Sequence, residues 1–275
     1  MSVVFASSTC DLNLKLLKKV GVEVVNLPYK QNTKKGLYNQ DKFGFDEYYA
    51  NMQFEVDEKR YLALLEKKFN EALATGQDVL FLTPNAKYDV SYKVVNPLIK
   101  TLQKQFENQK IEIVNCNNFG LGYGLIVYET GIVNLKGENI VEVVKFVNKL
   151  KKEIKTFIVP STNANIKNSL TLVGGLIGVR PFLQVVNGEL KVLEFVKGKK
   201  KILNMLGKQL SLRTQDDVPV AISCGKNSDE ANLLQEQIET ELEDVKVVKS
   251  TLNPLLTKYF GDRTLLIAYH KKSRS

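Results

Sequence analysis

Asp78-Val-Leu-Phe-Leu, a helical stretch from about Asp89 to Phe106, and Ile111-Glu-Ile-Val make up the segment on which the fold turns. Two short, nearly continuous apolar runs flank a longer amphipathic one, the pattern of strands buried on both faces around a helix. Parallel strands need a crossover of this length, so the segment reads as a βαβ unit.

Toward the N-terminus the rhythm repeats. Val3-Val-Phe-Ala reads as a buried strand. Ser7-Ser-Thr stands at a helix N-cap position, and a helix from Leu12 to Val20 is closed by Gly21. A strand from Val22 to Tyr29 follows. Beyond a polar stretch at 32–43, Phe45 to Met52 and Glu58 to Ala74 are predicted as helices, the second ending at Gly76. Toward the C-terminus come a glycine-opened helix from about Leu121 to Val133 and another from Asn139 to Leu150. Such alternation predicts a parallel sheet with helices on both faces.

Past Thr156 the pattern changes. A strand Phe157-Ile-Val-Pro and an apolar helix from Ile166 to Ile177 precede two strands, Arg180 to Val186 and Leu190 to Val196. Asn187-Gly188 joins them, the strongest short hairpin signal. A helix from Lys199 to Leu210, a strand Pro219 to Cys224, an acidic helix Ser228 to Glu243, and strands Val245 to Lys249 and Thr264 to Tyr269 complete the reading. The expectation is an α/β chain of two domains: 1–155 with a parallel sheet and 156–275 with a mixed sheet. A chain of 275 residues has room for two such cores.

Composition narrows the function classes. Hydrophobic residues make up 44% and charged residues 25%, ordinary for a folded chain and unlike a disordered one. Met1-Ser-Val-Val-Phe-Ala-Ser-Ser-Thr has no basic segment ahead of an apolar core. No later run approaches the roughly 18 apolar residues of a membrane span. A cytoplasmic protein is expected. Cys10, Cys116 and Cys224 are far apart, with only His270 as an imidazole partner, which argues against a disulfide framework or a zinc site. The net charge of +9 comes from 34 Lys and only 5 Arg, whereas Arg is the better reader of phosphates and bases. The bias reads as compositional, and weak nucleic-acid binding through surface lysines stays a minor alternative.

Candidate chemistry is sparse. No spacing assembles a nucleophile, base and orienting acid, and His270 reads as a surface residue beside Lys271 and Lys272. Gly120-Leu-Gly-Tyr-Gly follows a strand and opens a helix, so its backbone N–H groups could receive an anion. A tight turn with close packing is the competing reading. Ser8 lies at the carboxyl end of the first strand, where open α/β sheets bind ligands. Gly174, Gly175 and Gly178 leave room beside Leu172, Leu176 and Ile177 for an apolar slot, or equally for close helix–sheet packing.

Several segments, in order, resemble the DegV family, whose members include the fatty-acid-binding subunit of bacterial fatty acid kinase. They are Val4 to Leu12, Ile113-Val-Asn-Cys-Asn-Asn-Phe-Gly-Leu-Gly-Tyr-Gly, and Leu172-Val-Gly-Gly-Leu-Ile-Gly-Val-Arg-Pro-Phe-Leu. The hairpin at Asn187, the run Phe195-Val-Lys-Gly-Lys-Lys-Lys, and Tyr259-Phe-Gly-Asp-Arg-Thr extend the match. Ser8, Ser91, Tyr92, Gly122 and Gly124 match the family's pattern. Gln53 stands for its carboxylate-binding Thr, Asp89 for its head-group Ser, Asn165 for an Arg, Lys197 for a second Arg and Tyr259 for a His.

The resemblance implies a non-catalytic carrier that takes no cofactor and holds a fatty acid as its ligand. It would present that acid to a separate ATP-dependent kinase subunit for acyl-phosphate formation and phospholipid synthesis, with transient contact at a membrane surface. The lipid-binding residues it implies are Ser8, Gln53, Ser91, Tyr92, Asn118, Gly120, Gly122, Asn165, Lys197 and Tyr259, with Leu172 and Leu176 along the tail. The rewritten polar positions leave open a different small amphiphile, or loss of lipid binding.

Overall fold

The computed structural model describes residues 2–30, 55–161, 178–210, 219–225, 229–242 and 245–271. The chain forms two compact units, one from 1–117 with 126–151 and the other from 118–125 with 152–275.

In the first unit, β1 (Ser2–Ser7) leads through a single 3-10 turn (Ser8–Cys10) to α1 (Leu14–Lys19) and β2 (Val22–Val25). Then come β3 (Tyr29–Lys30), β4 (Glu55–Val56), α2 (Glu58–Ala74), β5 (Asp78–Thr83), α3 (Ser91–Gln105) and β6 (Ile111–Asn115). α4 (Gly120–Leu135) and α5 (Ile140–Glu153) complete the N-terminal half of the sequence. Four strands lie parallel in the order β2-β1-β5-β6, and β3 and β4 form a separate antiparallel pair.

Alternation along the strands builds the core. Phe5, Val79 and Phe81 point to one face, where α2 delivers Tyr61, Leu65 and Phe69 at four-residue spacing and α3 adds Val95, Leu98 and Ile99. Phe69 packs 5.1 Å from Phe5 and 5.7 Å from Phe81, between ring centroids. On the other side, Gly131 of α4 lies so close to Val20 and Val22 that a side chain there would collide with both.

Two local expectations need correction. The cap at Ser7 belongs to the 3-10 turn, and α1 begins later, at Leu14, with Asn13 Oδ1 accepting from the Lys15 N–H at 2.8 Å. The strand expected from Val22 to Tyr29 is broken after Val25, and Pro28, which has no N–H to give a ladder, sits in the gap. The helices expected at 45–52 and 166–177 lie outside the described residues.

The second unit contains β7 (Ile154–Val159), β8 (Val179–Val186), β9 (Glu189–Lys197), α6 (Lys199–Leu210), β10 (Val220–Cys224), α7 (Asp229–Glu241), β11 (Val247–Thr251), α8 (Pro254–Phe260) and β12 (Leu265–His270). Its sheet runs β11-β10-β12-β7-β8-β9, parallel at β10/β11 and antiparallel elsewhere. The hairpin turns on Asn187 (φ 54°) and Gly188 (φ 84°), the double positive φ of a type I′ turn, so Val186 faces Glu189. Phe157 stacks between Phe182 at 5.6 Å and Tyr269 at 6.2 Å, under Ile202 and Leu206 of α6 and Leu234 and Ile238 of α7.

α8 has no counterpart in the sequence reading. It is only seven residues long, with Pro at its start and Asn253 Oδ1 capping the Leu256 N–H at 3.0 Å. Too short to show a helical period, it is fixed by its cap and by burial of Leu256 and Phe260.

Candidate functional site

The order β2-β1-β5-β6 reverses direction between β1 and β5. At such a switch point the connections leave to opposite sides, and a crevice opens outside the carboxyl ends of the two strands. Five polar side chains meet there.

The end of β1 and the turn after it supply Ser7 and Thr9, the loop after β5 supplies Asp89, the start of α3 supplies Ser91, and α2 supplies Tyr61 from its first turn. Ser7 Oγ lies 3.1 Å from Thr9 Oγ1. Thr9 Oγ1 donates to Asp89 Oδ2 at 3.1 Å, and the Ser91 N–H donates to Asp89 Oδ1 at 2.7 Å. Ser91 Oγ in turn lies 3.2 Å from the Tyr61 hydroxyl, which also bonds Ser7. Ser7, Tyr61 and Ser91 are fully buried, and Asp89 keeps 6% of its surface in contact with solvent.

Burial dominates the electrostatics of this cluster. It pushes the Asp89 carboxyl above its ordinary value, against the opposing hydrogen bonds from Ser91 and Thr9. It pushes the Tyr61 phenol upward as well, and the nearby Asp89 charge adds to that. The cluster therefore holds a carboxyl that resists ionisation among hydroxyls that can either donate or accept.

The three thiols are inert by the same physics. Burial raises Cys10 and Cys116 each to about 12, and raises Cys224 too, so none is poised as a thiolate. Among the described residues, no group of three or more His, Cys, Asp or Glu side chains is placed to hold a metal ion.

The residues singled out from sequence fall into separate places. Ser91 lies in the cluster. Ser8 lies in the same turn, half-buried, with its Oγ accepting from the Leu27 N–H at 2.9 Å, and half-buried Tyr92 follows Ser91 on α3. In the second unit, Asn118 Oδ1 accepts from Thr156 Oγ1 and from the Phe119 N–H, both at 2.8 Å. Gly120 opens α4, and a Cβ on Gly122 would overlap Thr156 Oγ1 and Asn118 Oδ1. This glycine lets the helix start lie against β7. Lys197 is exposed at the end of β9, and Tyr259 is 36% exposed on α8. Gln53, Asn165, Leu172 and Leu176 lie outside the described residues.

The sequence reading places Ser7 and Thr9 at a cap and Asp89 in the place of a family Ser, and it assigns no role to Tyr61. The available signal was Asp89-Val-Ser91 itself, an acid placed to cap a helix just past a buried strand. His270 was expected at the surface, but it is buried at the end of β12, opposite Ile154, with Nε2 3.2 Å from Glu153 Oε2.

Arg180 is a second unforeseen feature. Nε donates to the Pro160 carbonyl at 2.8 Å, Nη2 to the carbonyls of Val159 (3.0 Å) and Arg263 (2.7 Å), and Nη1 to both Glu230 oxygens (3.0 and 2.8 Å). One guanidinium thus ties the end of β7, the turn after α8 and the start of α7, a task that uses its rigid fork of donors.

A family model described as "Uncharacterised protein, DegV family" matches residues 2–272. A DegV domain-containing protein of Clostridium perfringens is 23% identical over 288 residues, covering 97% of this chain and 96% of the relative. Among solved structures, a stearic-acid-binding protein from Eubacterium ventriosum superposes with a TM-score of 0.80 at 15% identity, covering 98% of this chain and 99% of its own. The Streptococcus pneumoniae fatty acid kinase B3 protein loaded with linoleic acid gives 0.76 at 17% identity, covering 98% and 99%. At such identities the likeness establishes the architecture: a parallel-sheet half joined to a mixed-sheet half.

Proposed function

The chain belongs to the DegV family, and we propose that it binds a long-chain fatty acid and presents it to a separate ATP-dependent kinase subunit for acyl-phosphate formation and phospholipid synthesis. Residues 1–155 and 156–275 are the two domains of this carrier. The observation that carries the reading is the end-to-end likeness to structures that hold stearic and linoleic acid, together with a polar cluster at the switch point of the parallel sheet.

The energetics of such a carrier favour the tail. Each buried methylene is worth about 0.8 kcal/mol, whereas a hydrogen bond to a charged head group contributes about 1.5–3 kcal/mol. A long acyl chain therefore tolerates changes at the polar end that a short ligand would not. In this reading the carrier acts by binding; burial keeps its Cys10 and Cys116 thiols protonated, and His270 Nε2 lies 3.2 Å from Glu153 Oε2. The carrier would work in the cytoplasm and meet the membrane surface transiently; no helix among the described residues is long and apolar enough to cross a membrane.

Mass spectrometry of lipids extracted from the purified protein tests the reading. A stoichiometric long-chain fatty acid is the expected result. A protein that is empty, and that fails to take up added fatty acid, overturns it. Titration against DNA or RNA at two salt concentrations checks the surface lysines separately: weak binding that falls steeply with salt is charge alone.

A further inference from the structure

We propose that β9, together with the start of α6, docks the chain on an anionic lipid bilayer through Val192, Leu193 and Phe195 flanked by lysines. The inference rests on the carrier reading and gives the surface by which that carrier meets a membrane.

Val192 (37% exposed), Leu193 (48%) and Phe195 (40%) are three of the eight exposed large apolar side chains among the described residues, and they fall within four positions of one strand. Apolar side chains scattered singly over a surface are ordinary, whereas a group of them marks an interaction site.

The register of the hairpin brings them together. β9 ends the sheet, and its pairing with β8 slips between Phe182 and Leu183, which leaves Leu193 without a partner on β8. Residues three apart on a regular strand point to opposite faces. The extra residue puts Val192, opposite Leu183, and Phe195, opposite Pro181, on the same face. Without the bulge Phe195 would turn toward the core under α6 and α7, where Phe182 and Val196 lie.

Charge is divided in the same way. Glu189 and Glu194 pair with Val186 and Phe182, so both acids share the core-side face, and Lys201 holds Glu194 at 2.6 Å. Lys197, opposite Val179, shares the face of Val192 and Phe195. Lys199 and Lys200 follow at the start of α6, exposed and outside any ion pair among the described residues.

This pattern selects the occupant. A strand added to the edge needs an unbroken row of N–H and C=O groups, which the bulge interrupts. A second copy would also bring like charges together on a chain of net charge +9. An anionic bilayer takes apolar side chains into its acyl boundary and lysine ammoniums at its head groups, with the lysine stems lying along the apolar part. Lysine suits such a diffuse negative surface, whereas paired recognition of protein carboxylates favours arginine, which is absent from 189–201.

Flotation of the full chain with vesicles tests the proposal, one set of phosphatidylcholine alone and the other mixed with phosphatidylglycerol. The chain is expected to float with the mixed vesicles only, and to be released by salt. Lys199→Gln and Lys200→Gln are each expected to weaken binding about fivefold. Leu193→Ser and Phe195→Ser are each expected to weaken it by about fivefold as well, with the salt dependence kept. A wild-type chain that floats with neither set overturns the proposal and leaves the face to an acidic protein partner. Apolar variants that float as well as the wild type overturn it too, since adhesion is then the charge of the whole chain. Uptake of octadecanoate from solution by the same preparations separates the two readings. A wild-type chain that takes up none defeats the carrier reading and this inference with it, whereas normal uptake with failed flotation defeats this inference alone.

Discussion

Two buried polar clusters in this chain look alike in sequence and differ in substance. One is the Ser7–Thr9–Tyr61–Asp89–Ser91 group of the first unit, and the other is the Asn118–Gly122–Thr156 group of the second. Each lies where a strand gives way to a helix start. In the second, Asn118 Oδ1 accepts from the Thr156 hydroxyl and the Phe119 N–H, and the space a side chain on Gly122 would need is filled by Thr156 and Asn118. In the first, a carboxyl resists ionisation inside a chain of adaptable hydroxyls. A glycine-rich helix start can thus be a packing joint, while the buried carboxyl sits at the topological switch point.

The largest effect expected from this contrast is at Gly122. Alanine favours a helix by about 1 kcal/mol over glycine, yet its Cβ would overlap Thr156 and Asn118. Overpacking of this kind costs about 1–3 kcal/mol, with the lost Asn118–Thr156 bond in addition. Gly122→Ala should therefore lower the urea midpoint clearly, and a stabilised variant would break the packing-joint reading.

Ser91→Ala comes next. It removes a hydroxyl shared by Tyr61 and Asp89 and leaves buried groups short of a partner, at a cost of about 1–3 kcal/mol. Thr156→Val is smaller, about 1 kcal/mol, because Asn118 Oδ1 keeps its bond to the Phe119 N–H. Equilibrium unfolding of the two variants side by side gives the ranking. A costlier Thr156→Val would reverse the contrast drawn between the clusters.

The smallest effect at neutral pH is expected for Asp89→Asn, whose signature is a slope. Burial raises the Asp89 pKa above its ordinary 3.8, so the folded chain holds a proton that the unfolded chain has released. That stabilising contribution is full below the unfolded value and is lost as pH rises through the raised folded one. Unfolding midpoints across this window should fall with rising pH less steeply for Asp89→Asn than for the wild-type chain. Superimposable slopes would mean that Asp89 ionises freely in the fold.

Much of the architecture was legible from local pattern. α2 and α6 have the boundaries expected for them, Glu58–Ala74 and Lys199–Leu210, because apolar spacing and end signals agree there. Asn187-Gly188 announced the hairpin because few other pairs accept positive φ at both positions. Where the local signals were short or conflicting the reading slipped: at Pro28, at the Asn13 cap, and at seven-residue α8. Ser91 was legible as a site candidate, whereas the cluster around it was not.

The chain alone determined most of the described helices and strands, that a parallel and a mixed sheet follow each other, and which family the pattern resembles. Periodicity, caps and turn residues act within a few positions, so they can be read along the line. Only the tertiary structure decided that Thr9 meets Asp89 80 residues away, that Gly122 must stay bare beside Thr156, and that Arg180 gathers three carbonyls and Glu230. Those facts depend on how strands are ordered in a sheet, and that order is set by burial summed over the whole unit, which no local stretch encodes.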